Sequence, residues 1–368
     1  MIGNYIISFI LAMLTSYILM PYVIRFAYKV GAVDKPENKR KLHKKPTARI
    51  GGISIIIASI FAFLYLLIAS YFEKHININF FLIYKKNFIG IGISIILILI
   101  MGFLDDSRDL NAFVKLFIQS LIAIITIIFG IRIENINILG GNAINLNIIL
   151  TYIISFSWII LVMNAINLID GIDCLATGIV VITIISLIVI FKINSSPIVA
   201  TFLAIPLVGA ILGYMPFNKT PAKSFVGDTG TNFLGYMLAV ISIMGVAKTY
   251  TLAIIIAPLI SLILPLFDTF FAIIRRIVKN KSLKGVFKAD RGHIHHKLLD
   301  KGLMPKQVVY IFYLVTAFAG LFAILILEGN IYKIVSFIVI VGLLAIIGLN
   351  DILKEIKEEN KIFNEKKN

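Results

Sequence analysis

Apolar runs long enough to cross a lipid bilayer recur from one end of this chain to the other, and no other feature restricts its fold as strongly. The first is IGNYIISFILAMLTSYILMPYVI, starting at Ile2. A spanning helix needs about 20 predominantly apolar residues, because the hydrocarbon core is ~30 Å thick and each residue rises ~1.5 Å. Eleven spans are expected, near 2–24, 51–72, 88–104, 113–131, 148–163, 175–191, 198–215, 231–246, 251–274, 307–327 and 332–350. The weakest is 88–104, which is short and ends in acid. Hydrophobic residues make up 59% of the 368, against roughly 45–50% in soluble domains. An all-α polytopic membrane protein follows. The first run carries no positive leader region and no small-residue cleavage site, so it reads as a retained span and not a signal peptide. The lone cysteine, Cys174, excludes an internal disulfide and a cysteine-based zinc site.

The formal charge of +16 could suggest nucleic acid as a partner. A fold made of spans offers no soluble basic domain for it, and basic loops beside anionic lipid fit better. Segments after the odd-numbered spans hold 28 of the 35 Lys and Arg, and segments after the even-numbered spans hold 7. The positive-inside rule then puts the N-terminus outside and the C-terminus in the cytoplasm. Four polar clusters, LDDSRDL, NAINLIDGID, FVGDTGTN and KADRGHIHHKL, all follow odd-numbered spans and so share the cytoplasmic face. The end of the chain, DILKEIKEENKIFNEKKN, reads as a solvated tail.

Carboxylates at the mouth of a helical bundle are costly unless paired, hydrated or metal-bound. Asp105 and Asp106 are adjacent, so on a helix end they point about 100° apart. Asn164, Asn167, Asp170 and Asp173 recur every third residue, which makes each a neighbour of the next on a helix. Gly171 invites that helix to end, leaving a polar knot rich in oxygen ligands of the kind Mg²⁺ prefers. Interhelical hydrogen bonding by Asn is the bland alternative, and it covers one or two such residues more easily than four. Asp228 stands between Gly227 and Gly230, where exposed amides at the start of a helix can face an anion; a simple capped turn would look the same. His293, His295 and His296, with Arg291 and Lys297, suit a cationic clamp on phosphate better than a zinc site, since adjacent histidines diverge. His43 lies in another basic run, NKRKLHKKPTAR. Together the clusters form an inventory for Mg²⁺-assisted chemistry on a diphosphate at the bilayer surface.

In this order, DKPENKRKLHKKPTARIGGI, FLDD, NAINLIDGID, FVGDTG and HIHH resemble the motifs of the polyprenyl-phosphate N-acetylhexosamine-1-phosphate transferases. The HIHH form is similar to the bacterial undecaprenyl-phosphate GlcNAc-1-phosphate branch more than to the muramoyl-pentapeptide branch. The resemblance implies an eleven-helix membrane enzyme with a cytoplasmic site, residues 1–350 forming one catalytic domain and 351–368 a charged tail. It implies transfer of a sugar 1-phosphate from a UDP-N-acetylhexosamine to undecaprenyl phosphate, with release of UMP, to initiate a cell-envelope polysaccharide. Mg²⁺ is the implied cofactor, with Mn²⁺ as the alternative. The lipid bilayer is the implied setting, nucleic acid is not a partner, and a homodimer stays open. Residue by residue, Asp228 is implied as a metal ligand with Asn167 as a second. Asp105 and Asp106 match an acidic pair at the lipid-phosphate end, and Lys115 a basic residue near phosphate. Asn164, Asp170, Asp173 and Asn218 match positions on the nucleotide side. Arg291, His293, His295 and His296 match a loop closing over the diphosphate or sugar. Cys174 departs from the pattern, since glycine is usual there.

Two rivals are weaker. An ion-coupled transporter would keep its acids near mid-span, whereas here they gather at one face; only Asp268 lies within a run. A CDP-alcohol phosphotransferase is suggested by DGID, but that family's further Asp-Gly-Ala-Arg is missing, because Cys174-Leu-Ala follows. The sugar, the pathway, and the choice between direct attack and a covalent aspartyl intermediate stay open at this level.

Overall fold

A computed structural model describes residues 1–34, 46–137, 143–245, 294–328, 333–335 and 337–338. Helices dominate: α1 (Ile2–Val30), α2 (Gly52–Phe72), α3 (Ile78–Arg108), α4 (Ala112–Ile128), α5 (Ile148–Ile169), α6 (Leu175–Ile193), α7 (Ile198–Asn218), α8 (Gly227–Met244), α9 (Ile294–Asp300) and α10 (Pro305–Glu328). Two short antiparallel hairpins join them. One pairs β1 (Val33–Asp34) with β2 (Thr47–Ala48), the other β3 (Asn135–Asn137) with β4 (Ala143–Asn145). Seven of the helices (α1, α2, α3, α5, α6, α7 and α10) are long and apolar enough to cross a membrane, so the chain is a polytopic, all-α membrane protein. α4 has 17 residues, and α8 opens on the polar GDTGTN. The expected span at 251–274 lies outside the described residues, as does nearly all of 332–350.

Local sequence explains several starts. Asn77, Asn111 and Asn147 stand at the N-caps of α3, α4 and α5, and each side chain accepts a hydrogen bond from the first turn. The cap at Asn77 sets α3 ten residues earlier than expected. Lys85 and Lys86 lie inside this helix, where long aliphatic stems let the ammonium groups reach outward.

The helices turn the soluble pattern inside out. α1 buries Asn4, Ser8, Ala12 and Ser16 at four-residue spacing and exposes Ile6, Ile10, Leu14 and Ile18. Lipid competes with protein for large apolar side chains, so interfaces form where small residues let backbones meet. α7 supplies GAILG: a Cβ at Gly209 or Gly213 would lie 2.3 or 2.1 Å from the α1 carbonyls of Phe9 and Met13. α8 is the central post, touching α2, α3, α5, α6 and α7, with every residue from Thr229 to Ile243 buried. Side-chain hydrogen bonds tie it to its neighbours, from Trp158 to Ser242 and between Thr126 and Tyr236.

Candidate active site

The ends of α3, α5 and α7 and the starts of α2, α4 and α8 meet at one end of the bundle, and this meeting is built around α8. The loop before α2 threads past the loop before α8 by backbone hydrogen bonds: Phe225 N to Ala48 O, Gly51 N to Phe225 O and Gly52 N to Val226 O, at 2.7–3.0 Å. The glycine pair in ARIGGI makes the approach feasible, because a Cβ on Gly52 would lie 2.1 Å from Gly230 Cα. Arg49 is thereby delivered to the polar cluster. This places Arg49 Nη1 3.1 Å from Asp109 Oδ1 and Arg49 Nη2 3.8 Å from Asp228 Oδ2.

The adjacent acids separate as their angular spacing requires. Asp105 pairs with Lys115, which opens α4 and also lies 3.6 Å from Asp228 Oδ1. Asp106 turns to α8 and accepts hydrogen bonds from Asp228 N, Thr229 N and Thr229 Oγ1, at 2.7–3.0 Å. The amides offered to an anion by FVGDTGTN thus hold a carboxylate of the chain itself. Asp228 is 17% exposed, and its Oδ1 accepts 2.8 Å from Asn167 Nδ2. The same amide nitrogen reaches Thr231 Oγ1 at 2.8 Å.

One turn earlier on α5, Asn164 donates to Gln119 Oε1 (2.9 Å), Gln119 donates to Asn232 Oδ1 (2.7 Å), and Asn232 donates to the Asp228 carbonyl (2.7 Å). A chain of amides therefore runs from α5 through α4 to the first turn of α8. Asp170 stands at the C-cap of α5, where the helix ends. Burial, then the carboxylates of Asp228, Asp173 and Asp106, push its carboxyl above the usual range. Asp173 follows in the short connection to α6.

Asn218 is buried inside the protein: it accepts from Cys174 N at 2.8 Å and donates to the Ser224 carbonyl at 3.0 Å. Cys174 adopts left-handed backbone (φ 63), a conformation glycine takes without strain. Burial, then Asp173 and Asp170, push its thiol up to about 11. His295 and His296 stand in the first turn of α9, while Arg291, His293, His43 and Asp268 lie outside the described residues.

Sequence reasoning assigned no role to Arg49, Gln119 or Asn232. Gln119 carried a signal, since it is four residues after Lys115 in the apolar KLFIQSLIAII and so shares its helix face. Among the described residues no three His, Cys, Asp or Glu side chains converge as a metal cage.

A polytopic helical membrane protein with a carboxylate-and-cation cluster at one end of its bundle is the class that fold and site define. The family model of glycosyl transferase family 4 matches residues 88–246, which include α4 to α8 and Asp105, Asp106, Asp109, Asp170, Asp173 and Asp228. A probable undecaprenyl-phosphate N-acetylglucosaminyl 1-phosphate transferase of Bacillus subtilis is 35% identical over 337 residues, covering 89% of this chain and 86% of its own. A decaprenyl-phosphate N-acetylglucosaminephosphotransferase of Mycolicibacterium smegmatis is 27% identical, over 82% of this chain and 77% of its own. A phospho-N-acetylmuramoyl-pentapeptide-transferase of Streptococcus thermophilus is 32% identical, over 65% and 71%. The chain belongs to this family, the polyprenyl-phosphate N-acetylhexosamine-1-phosphate transferases.

Proposed function

We propose that this protein transfers N-acetylhexosamine 1-phosphate, in the first instance GlcNAc-1-phosphate, from a UDP-sugar to undecaprenyl phosphate. The step would initiate a cell-envelope polysaccharide at the cytoplasmic face of the cytoplasmic membrane. The observation that carries this reading is the convergence of Arg49, Lys115, Asp105 and Asp228 at one bundle end. It occurs in a chain similar along 89% of its length to a GlcNAc-1-phosphate transferase. The lysine and arginine counts support eleven spans with the N-terminus outside.

In the reaction, an oxygen of the lipid phosphate attacks the sugar-bearing phosphorus. A P–O–P bond forms, the bond to the α-phosphate oxygen breaks, and UMP leaves. The acceptor needs little activation: a phosphate monoester with a second pKa near ~6 is largely a dianion at neutral pH. It needs positioning among cations, which Lys115 and Arg49 supply from the described part of the site, with Arg291 and the histidines as the proposed clamp.

The donor set fits Mg²⁺, with Mn²⁺ as the alternative. It is all hard oxygen, and Asp228, partly exposed, has its two cations no nearer than 3.6 and 3.8 Å. Asp228 and Asn167 would hold the ion, consistent with a metal that takes one or two protein ligands and completes its shell from water and phosphate. Bound there, it would neutralise charge developing on the diphosphate. Asp170, Asp173 and Asn164 flank the nucleotide side in this reading, and Asn218 braces the loop that carries Asp173 and Cys174.

Purified protein in detergent should move radiolabel from UDP-GlcNAc to undecaprenyl phosphate with one UMP per lipid, and EDTA should stop it. Absence of lipid labelling with every UDP-N-acetylhexosamine tried would reject the reaction, and transfer undiminished by EDTA would reject the metal. A cysteine at position 223 labelled by an impermeant reagent from outside the cell would reject the cytoplasmic site.

A further inference from the structure

α8 lacks an N-cap of its own. The residue at that position, Val226, has no side-chain acceptor, yet the first helical amides cannot be left unpaired in a buried setting. A capping side chain ordinarily accepts from the second or third helical N–H. Here those groups belong to Asp228 and Thr229, and they donate to Asp106, 122 and 123 residues away in the chain. The Asp106 side chain is 0% exposed, and both of its oxygens are engaged, with Thr229 Oγ1 as a third donor at 2.7 Å. A carboxylate at a helix N-terminus is also held by the helix dipole. The site is shaped around it: a Cβ on Gly227 would fall 2.7 and 2.8 Å from the two Asp106 oxygens.

We infer that Asp106 is a positioning residue, a cap supplied by α3 to α8 that fixes the backbone carrying Asp228. The two members of the acidic pair then have separate tasks. Asp105 pairs with Lys115, the cation assigned to phosphate. Both Asp106 oxygens are taken up by the first turn of α8, with Arg49 Nε a further 4.0 Å from Oδ1, so in this role it is neither nucleophile nor base. This deepens the proposed transfer reaction and rests on it.

Thr229 provides the decisive comparison, because its hydroxyl contacts Asp106 and has no other partner among the described residues. Thr229→Val keeps the shape and removes that donor, and Thr229→Ser keeps the donor. We expect kcat to fall on the order of 10- to 100-fold in Asp106→Asn, whose amide meets N–H donors, and by somewhat less in Thr229→Val. Thr229→Ser should recover most of the rate, and the double variant should lose less than the product of the single losses.

A second readout needs no turnover. Amide hydrogen exchange of the 226–231 backbone in detergent, without nucleotide, should accelerate about tenfold or more in Asp106→Asn and in Thr229→Val. A dead Asp106→Asn with unchanged exchange, beside a fully active Thr229→Val, would assign Asp106 to the substrate and overturn the inference. So would full activity of Asp106→Asn. If Asp106→Asn does not fold, equal rates and equal exchange in the valine and serine variants overturn it. Failure of the wild-type protein to transfer any sugar would sink the proposed reaction alone, since the exchange comparison stands without it.

Discussion

Gly227→Ala should disable the site while leaving most of the fold, and the loss can be worked from the structure. Gly227 has φ +73, and an added Cβ would lie 1.7 Å from the Arg49 carbonyl oxygen, a backbone atom. The left-handed conformation costs a non-glycine residue ~1–2 kcal/mol. Forcing the Arg49 backbone or the start of α8 aside adds ~1–3 kcal/mol of overpacking. Reduced freedom of the unfolded chain returns ~0.4–1 kcal/mol. The net is about 1–5 kcal/mol, and at ~2 °C per kcal/mol for a large chain the melting temperature should fall by roughly 2–10 °C. Activity should fall further. Arg49 and Asp228 ride on the displaced backbone and Asp106 is hydrogen-bonded to it, and a shift of ~1 Å can cost on the order of a hundredfold. Gly92→Ala is the matched control: it lies inside α3 with nothing within 4 Å of its Cβ position. It should be neutral or stabilise by ~0.5–1 kcal/mol with normal turnover. Melting curves in detergent and UMP release at saturating substrates make the comparison. The reasoning fails if the two alanine variants behave alike.

Asp170→Asn should raise the melting temperature in EDTA, and the gain should grow with pH. A carboxyl raised by burial and like charge costs nothing while protonated in both states, and destabilises the fold increasingly as pH climbs from the ordinary carboxylate range toward the raised folded pKa. A constant gain from pH 4 to 8 would refute this. Cys174→Gly should leave turnover intact and stabilise by up to ~1 kcal/mol by relieving a left-handed cysteine; a lower melting temperature would show that the thiol packs usefully. With its thiol pushed up to about 11, Cys174 should react slowly with iodoacetamide at pH 7, and rapid alkylation would contradict that. Omitting the lipid acceptor should yield no UMP burst, because Asp106 has both oxygens bound and Asp105 is paired with Lys115. One UMP per enzyme without acceptor would establish a covalent intermediate instead.

What was legible in the sequence is what depends on near neighbours. Apolar runs gave most of the helices, though not the asparagines that cap three of them, and the three-residue spacing put Asn164 and Asn167 on one face of α5, turned to α4 and α8. That row stops being a helical stripe at Asp170 because α5 ends at Ile169. The start of α3 was misplaced because two lysines look like the end of a span, although their stems tolerate an apolar surround. The 100° split between Asp105 and Asp106 was readable, but their partners were not: α8 is 122 residues from Asp106, and no local period encodes which helix start lacks a cap. Arg49 was hidden for the same reason. Its role comes from a loop threaded beside residue 225, and in the sequence it is one basic residue among many.

The way each acid is balanced singles out Asp228 without appeal to relatives. An intramembrane carboxylate is expensive, so each needs its own means of compensation. Asp106 is satisfied by two amides and a hydroxyl. Asp105, at 2% exposed, is held by Lys115 and by the Leu110 amide. Asp109 is open to solvent and faces Arg49 at 3.1 Å. Asp170 is pushed toward its neutral form. Asp228 is held more loosely. One amide donor reaches its Oδ1, and its two cations stand off at 3.6 and 3.8 Å, beyond good hydrogen-bond distance. It is also partly exposed, whereas Asp105 and Asp106 are closed off. A charge kept partly uncompensated and oriented by three helices can gain much from an arriving cation at little reorganisation cost. Lys115 and Arg49 are then free to turn from Asp228 to phosphate once that charge is met, so the same loosely held ion pairs that leave Asp228 available also release the cations a diphosphate requires.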